Sequence, residues 1–216
     1  MDKIKSKSLT ELAYDQISQA ILQNALKPGD MIVEEQIANQ LGISRTPIRE
    51  ALKKLSFEGM IELRSGRRAR VSEISEKDAM NYQIIRESLE ALGAKTAAEH
   101  ITSSELQELE EICTKQKEAI REDDLLEFLD LDFMFHSIIV RVSQNSKLEE
   151  IVNNLNSQIK RFLILSNTLH SSAEGAVEEH YTIIESLRER NGERTEEMMR
   201  NHVQNVTNRI LKINHF

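Results

Sequence analysis

The sequence predicts a mainly α protein in two parts, a small N-terminal unit of helices with a short hairpin and a C-terminal all-α bundle of six helices. Apolar residues recur at helical spacing along most of the chain. Both prolines, Pro28 and Pro47, lie near the start, so 169 residues follow without one. Sheets and long loops need more turn-forming residues than that. We expect two domains, at 8–74 and 78–216.

The distribution of charge supports the same division and indicates a partner for the first part. The chain carries a formal net charge of -8, which as an average argues against a nucleic-acid partner. Residues 1–75, however, hold 12 basic and 10 acidic side chains, whereas residues 76–216 hold 16 basic and 26 acidic ones. Within 41–72 there are eight basic and three acidic residues. A basic module is therefore joined to an acidic one.

Composition excludes several classes of protein. With 39% hydrophobic and 30% charged residues among 216, the chain is typical of a globular protein. No apolar run is long enough to cross a membrane, and the first nine residues lack an apolar signal-peptide core. Cys113 is the single cysteine, which excludes an intrachain disulfide and a zinc cluster of thiolates. We expect a cytoplasmic protein without a membrane partner.

The first 59 residues predict three helices. The first, at about 8–23, follows from the helical spacing of apolar residues, and a second at about 34–41 ends on Gly42. Ser44 suits the N-cap of the third helix, and Gly59 stops it. Two helices joined by a tight glycine turn form a helix-turn-helix. Four polar residues would then lie at or near the N-terminus of its second helix, the end that enters the major groove: Ser44, Arg45, Thr46 and Arg49.

A short hairpin follows the third helix. Met60–Arg64 and Ala69–Val71 have the pattern of two strands around Ser65 and Gly66. The hairpin would form a wing with Arg67 and Arg68 at its tip, well placed for phosphates or a minor groove. These arginines could instead only solvate a small domain. The coincidence of helix-turn-helix, wing and basic charge favours DNA binding.

The rest of the chain predicts a separate all-α bundle, because helical periodicity continues with few breaks. The six helices are expected at about 75–100, 102–122, 125–142, 146–169, 173–190 and 193–213.

Polar, titratable residues occupy apolar stripes in three of these helices. Asp132 and His136 are spaced i, i+4 and share one helix face, and the last two helices each carry one such histidine, His180 and His202. An unpartnered buried carboxylate costs several kcal/mol or more, so something must compensate. Hydrogen bonds among these residues are one solution. A metal is the other, and we favour it: the N3O set suits a divalent transition metal, zinc first, with nickel, cobalt, iron or manganese as alternatives.

These motifs resemble those of a known family. Residues 8–74 resemble the winged helix of the GntR family of bacterial transcription regulators, because Ile43–Leu52 (ISRTPIREAL) closely matches its recognition-helix motif. The resemblance implies that Ser44, Arg45, Thr46 and Arg49 contact operator DNA and that the wing around Gly66 reaches the minor groove.

The chain departs from the family pattern at two places. Glu35 stands where relatives often carry arginine, and the wing reads Gly66-Arg67-Arg68 rather than Gly-Arg-Gly. An arginine at position 35 could bind a phosphate, which Glu35 cannot do. We expect Arg68 to bind phosphate in its place.

Residues 78–216 resemble the FCD ligand-binding domain of the FadR-type branch of that family. The Asp-x-x-x-His of Asp132 and His136, with single histidines in the last two helices, is similar to that domain's metal site. Six helices are closer to its VanR-like variety. The resemblance implies a cavity where a divalent metal and a small organic acid bind. It also implies that Arg86 faces this cavity, where it would grip a carboxylate; a salt bridge to Glu90 is an equally weighted alternative.

Together these features predict a ligand-controlled transcription regulator. We expect a repressor that binds a pseudo-palindromic double-stranded operator as a homodimer, with a small carboxylate as effector. A metal-dependent hydrolytic enzyme is the rival hypothesis. It would leave the winged helix idle, and no motif places a general base, so we expect no enzyme. In a third hypothesis the metal is purely structural.

Overall fold

The computed structural model of the chain describes residues 7–64, 68–166 and 173–213. It divides into two compact units, Met1–Ser75 and Glu76–Phe216. Among the described residues no helix is both long and apolar enough to cross a membrane.

The first unit is a winged helix-turn-helix with a three-stranded antiparallel sheet, in the order β1-β3-β2. Ala69 at the centre of the sheet pairs with Ile32 on one side and Leu63 on the other. The described elements of this unit are α1 (Leu9–Leu22), β1 (Met31–Val33), α2 (Glu34–Leu41), α3 (Arg45–Phe57), β2 (Ile61–Arg64) and β3 (Arg68–Val71). The predicted hairpin is confirmed, but β1 was not predicted from the sequence. Three residues directly before a helix are too few to show a strand period.

Local signals set the ends of these helices. Ser8 and Glu11 form a capping box at the start of α1, in which the Glu11 N–H donates to Ser8 Oγ at 3.2 Å. Gly42 ends α2 in the left-handed region, at φ 66°. Ser44 is the N-cap of α3, but its side chain makes no capping hydrogen bond to the described part of α3. The fully buried apolar side chains of this unit come from α1, α3 and the sheet; they include Ala13, Ile48, Ala51, Leu55, Ala69 and Val71.

The second unit is all-α throughout its described residues, as predicted. Its helices are α4 (Glu76–His100), α5 (Ser103–Arg121), α6 (Leu125–Val142), α7 (Ser146–Ser166), α8 (Ala173–Arg188) and α9 (Gly192–Ile213). The predicted α7 ran to residue 169, and its last three residues lie outside the described part. The predicted α8 ran to residue 190, two residues beyond its observed end.

Helix α6 is largely buried in this bundle, because its sequence is apolar on nearly every face. It packs against α4, α5 and α7. Phe135 and Ile139 are both fully buried there, and each contributes about 1.5–3 kcal/mol through removal of its side chain from water. The polar side chains of α6 that share this interior, Asp132 and His136, are therefore fixed in the core by their apolar neighbours.

Candidate metal centre and candidate DNA-binding surface

The N-terminus of α3 presents a polar surface over an apolar base. The side chains of Ser44, Arg45, Thr46 and Arg49 are exposed, whereas Ile48 between them is fully buried. Burial of Ile48 fixes the helix on the unit's core. The four residues that the sequence singled out for DNA contact therefore lie together on one outward-facing surface.

Two acidic residues of α2 hold the arginines of this surface. Arg49 makes a bidentate pair with Glu34, through Nε at 3.1 Å and Nη2 at 2.9 Å. Arg45 Nη2 lies 2.5 Å from Glu35 Oε1. The hydrogen bonds that Arg49 donates to Glu34 raise the pKa of Arg49 above its ordinary value. These pairs were not predicted from the sequence, because no periodic pattern links an α2 acid to an α3 arginine.

The described part of the wing carries basic residues on adjacent strands. Arg68 opens β3 and faces Arg64 directly across the sheet. Arg64 pairs with Glu62, whereas Arg68 is exposed and makes no ion pair with any described residue. The two other predicted wing residues, Gly66 and Arg67, lie outside the described residues.

In the bundle, the four predicted metal ligands come together. One ligand atom from each of Asp132, His136, His180 and His202 can be chosen so that all lie within 4.8 Å of one another, and all four residues are buried. His136 Nε2 lies 3.2 Å from His202 Nε2 and 3.9 Å from Asp132 Oδ2. His180 Nε2 lies 3.5 Å from Asp132 Oδ1. Helices α6, α8 and α9 thus meet at one polar cluster in an apolar core.

The opposite nitrogen of each imidazole faces an oxygen acceptor. A carboxylate or amide oxygen in that place keeps the proton on Nδ1 and turns the Nε2 lone pair inwards, which is how metal-binding histidines are commonly oriented. His180 Nδ1 makes a hydrogen bond with Gln116 Oε1 at 3.0 Å, and His202 Nδ1 makes one with Glu179 Oε2 at 2.9 Å. His136 Nδ1 lies 2.7 Å from Glu90 Oε2 in an ion-pair contact without hydrogen-bond geometry.

This tautomer leaves the inward nitrogens in need of a cation. If both protons are on Nδ1, His136 and His202 face each other with two lone pairs at 3.2 Å, which is repulsive unless a positive charge lies between them. His180 Nε2 is buried and accepts no hydrogen bond from the described residues. Two nitrogens bound to one tetrahedral zinc at about 2.0–2.1 Å lie about 3.3 Å apart. The donor set therefore fits a transition metal.

The electrostatics of the cluster favour neutral imidazoles at His180 and His202. Burial lowers the pKa of His180 well below its ordinary value, and positive charge on His202 or His136 would lower it further. Burial also lowers the pKa of His202, although its hydrogen bond to Glu179 opposes this. A metal binds only neutral imidazole. The protein thus holds these two side chains in the protonation state that a metal requires.

Arg86 lies at the edge of this cluster. Its contacts agree in part with both roles expected from the sequence, a salt bridge to Glu90 and a donor for a bound carboxylate. It is buried, and its Nε donates to Glu90 Oε1 at 2.8 Å. Its Nη2, however, is buried and has no hydrogen-bond partner among the described residues. Burial would raise the pKa of Glu90, but Arg86 and His136 outweigh it and lower that pKa to about 2. The salt bridge therefore holds Arg86 in place while one donor stays unused.

Several functional residues could not be identified from the sequence. Gln116 and Glu179 contact histidines of the candidate metal site from helix positions that belong to no recognisable ligand motif, and Glu90 was expected only as a partner of Arg86. Glu179 also accepts hydrogen bonds from Asn205 Nδ2 at 2.9 Å and from Arg209. Only their contacts with the three histidines distinguish these side chains from the many other polar residues of the chain.

Comparisons with known proteins agree with this architecture. A sequence model described as bacterial regulatory proteins, gntR family, matches residues 9–71, and that of the FCD domain matches residues 82–205. HTH-type transcriptional repressor RspR of Escherichia coli (strain K12) is 28% identical over 200 residues, which cover 93% of this chain and 88% of the relative. The uncharacterized HTH-type transcriptional regulator YdhC of Bacillus subtilis (strain 168) is 30% identical over 181 residues, covering 83% and 81%.

The fold has a close counterpart among solved structures. That of E. coli McbR/YncC superimposes with a TM-score of 0.85, covering 97% of this chain and 100% of the other at 22% identity, and this likeness supports the fold. The two matched domains define a DNA-binding transcriptional regulator. The chain belongs to the GntR family and carries that family's FCD domain.

Proposed function

We propose that this regulator is a metal-containing repressor that responds to a small organic acid. The observation that carries the proposal is the orientation of the three buried histidines, each with Nδ1 on an acceptor and Nε2 turned towards Asp132. Three imidazoles and one carboxylate suit zinc first, with nickel, cobalt, iron or manganese as alternatives. His136, His180, His202 and Asp132 would hold the metal.

The effector would bind beside the metal. Protein ligands would fill four positions; zinc can expand to a fifth, and nickel, cobalt, iron or manganese accept six, which would leave room for a small carboxylate. Such a metal supplies a positive charge and a Lewis-acidic centre for that carboxylate. The unpartnered Nη2 of Arg86 would donate to the same group. Its salt bridge to Glu90 orients the guanidinium for this contact.

The winged helix would read a pseudo-palindromic operator in the cytoplasm. Ser44, Arg45, Thr46 and Arg49 would contact the major groove, and Gly66, Arg67 and Arg68 the adjacent minor groove. A two-fold operator requires a homodimer. Exposed apolar residues on one face of α4 are suited to burial between two bundles: Ile84, Ile85 and Leu92.

Operator-binding assays test the DNA part of this proposal. We expect the double variant Arg45→Ala/Arg49→Ala to lose specific binding in fluorescence anisotropy, because it removes both groove-facing guanidinium groups. Lys147→Ala removes an exposed cation of α7 that pairs with Glu150 and is a matched control. Undiminished operator affinity in the double variant would refute the recognition surface.

Metal analysis tests the proposed metal and effector site, and it distinguishes a metal needed for the acid response from a purely structural one. Elemental analysis and native mass spectrometry of the purified protein should find about one transition-metal ion per chain. We expect chelation to lower the melting temperature and also to abolish the effect of organic acids on operator affinity. A fall in melting temperature with the acid response intact would identify the metal as purely structural.

A further inference from the structure

One carboxylate of α8, that of Glu179, contacts two turns of α9. Its Oε2 lies 2.9 Å from His202 Nδ1, and its Oε1 accepts a hydrogen bond from Asn205 Nδ2 at 2.9 Å. Arg209 donates to both oxygens, through Nη1 to Oε2 at 3.3 Å and through Nη2 to Oε1. The three α9 residues are spaced i, i+3 and i+7, so they lie on one face of the helix. Glu179 therefore links a candidate metal ligand to an arginine two turns further along α9.

The first turn of α8 leaves space for the Arg209 guanidinium. Gly175 lies one turn before Glu179 on the same face of α8. A Cβ at Gly175 would lie 3.0 Å from Arg209 Nη2 and 3.2 Å from Arg209 Cζ, closer than the distance of about 3.5–4.0 Å at which non-bonded carbon atoms attract best. A side chain at position 175 would therefore displace the guanidinium. Because glycine has none, Arg209 can reach both oxygens of Glu179.

The outer partners of the three histidines show a consistent pattern of charge. Glu90 is negatively charged and is paired with Arg86. Glu179 is also charged, and it is paired with Arg209. The third partner, Gln116, is a neutral amide and needs no cation. A carboxylate withdrawn from water stays ionised only with a partner, so Arg209 stands to Glu179 as Arg86 stands to Glu90.

We propose that Arg209 is a positioning residue of the candidate metal site and acts on His202 through Glu179. Its two hydrogen bonds fix the carboxylate with Oε2 towards His202 Nδ1, which keeps the proton on Nδ1 and leaves the Nε2 lone pair for a metal. Coupling between two events is reciprocal. Metal binding and the docking of residues 202–209 of α9 on α8 therefore stabilise each other. This role of Arg209 rests on the proposed metal site.

A competition titration of zinc against a chelator, on the full-length protein, tests this role with Arg209→Gln. The Glu179 carboxylate then loses its bidentate partner, and we expect zinc affinity to fall about tenfold. The control is Arg194→Gln, also on α9, which removes an exposed arginine that pairs with Glu189 outside the cluster. Equal zinc affinities in the two variants would overturn the proposal and leave the metal site standing. A wild-type protein that binds no zinc would instead overturn the metal site itself.

NMR and hydrogen exchange distinguish positioning from a purely structural contribution. Proton–nitrogen spectra of the zinc-loaded protein with isotope-labelled histidine report the Nδ1–H groups directly. We expect Arg209→Gln to shift the His202 signal upfield and speed its exchange with water, with the His180 signal unchanged because Gln116 is its acceptor. Zinc should slow amide exchange over 202–209 in the wild type and the control, and much less in Arg209→Gln. An unchanged His202 signal with an unchanged effect of zinc on exchange would contradict the proposal.

Gly175→Ala tests the same contact without removing Arg209. Alanine is the better helix former, so the melting temperature of the metal-free protein should not fall. The added Cβ displaces the guanidinium from Glu179, and we expect zinc affinity to fall about threefold or more. Unchanged zinc affinity would show that the position of the guanidinium is unimportant, which contradicts a positioning role.

Discussion

Glu179 offers the most direct test of how the protein supports its candidate metal. Its carboxylate accepts from His202 Nδ1 at 2.9 Å and also pairs with Arg209. The change Glu179→Gln keeps the size of the side chain and an oxygen acceptor but removes the negative charge. That charge makes the imidazole a better metal ligand, and such outer partners typically change metal affinity by about 10–100-fold. This corresponds to about 1.4–2.7 kcal/mol of binding free energy.

The assay is a competition titration of zinc against a chelator of known affinity, at about pH 7.5. The control is Glu178→Gln on the preceding residue, whose carboxylate is largely exposed and pairs with Lys117 outside the cluster. We expect zinc affinity to fall about 10–100-fold in Glu179→Gln and to stay within about twofold in the control. Equal affinities in the two variants would show that the contact between Glu179 and His202 does not support the metal.

Two further predictions concern DNA affinity and pH. Glu35→Gln should raise operator affinity severalfold at low salt, because DNA phosphates would no longer compete with Glu35 for Arg45; fluorescence anisotropy measures this, and weaker binding would mean that Glu35 itself contacts a base. In metal-free protein, urea unfolding should show lower stability at about pH 5.5 than at about pH 8. Because the pKa values of His180 and His202 are lowered in the folded protein, the unfolded chain takes up protons first as pH falls below about 6.5. The free energy of unfolding then falls by at most about 1.4 kcal/mol per histidine and pH unit. Equal stability at both pH values would contradict this account.

The fold was largely predictable because its signals are local. The period of apolar residues and the glycine at Gly42 indicate helices and their ends directly. Strand β1 was not predicted, since three residues contain no period and only pairing with β3 makes them a strand. Because this pairing joins segments far apart in the chain, the sequence around β1 alone does not indicate a strand.

The candidate site likewise has residues that the sequence could predict and residues that it could not. Asp132 and His136 could be identified because i, i+4 spacing puts two polar groups on one otherwise apolar stripe. Glu90, Gln116 and Glu179 could not, since each acts on a histidine of another helix and is one polar residue among many. The candidate ligands could be identified from the sequence, whereas the groups that orient them could not.

In the proposed function, the ion pairs at the N-terminus of α3 would affect how the regulator searches a genome. Arg45 and Arg49 are already paired with Glu35 and Glu34, so each arginine would exchange one anion for another on reaching DNA. Non-specific binding comes almost entirely from phosphate neutralisation, and it gains little from an arginine whose charge is already compensated. A base edge that accepts two hydrogen bonds from the guanidinium would stabilise the complex more than a phosphate does. The acids of α2 would thus shorten the time spent on the many wrong sites and leave more of the protein free to find the right one.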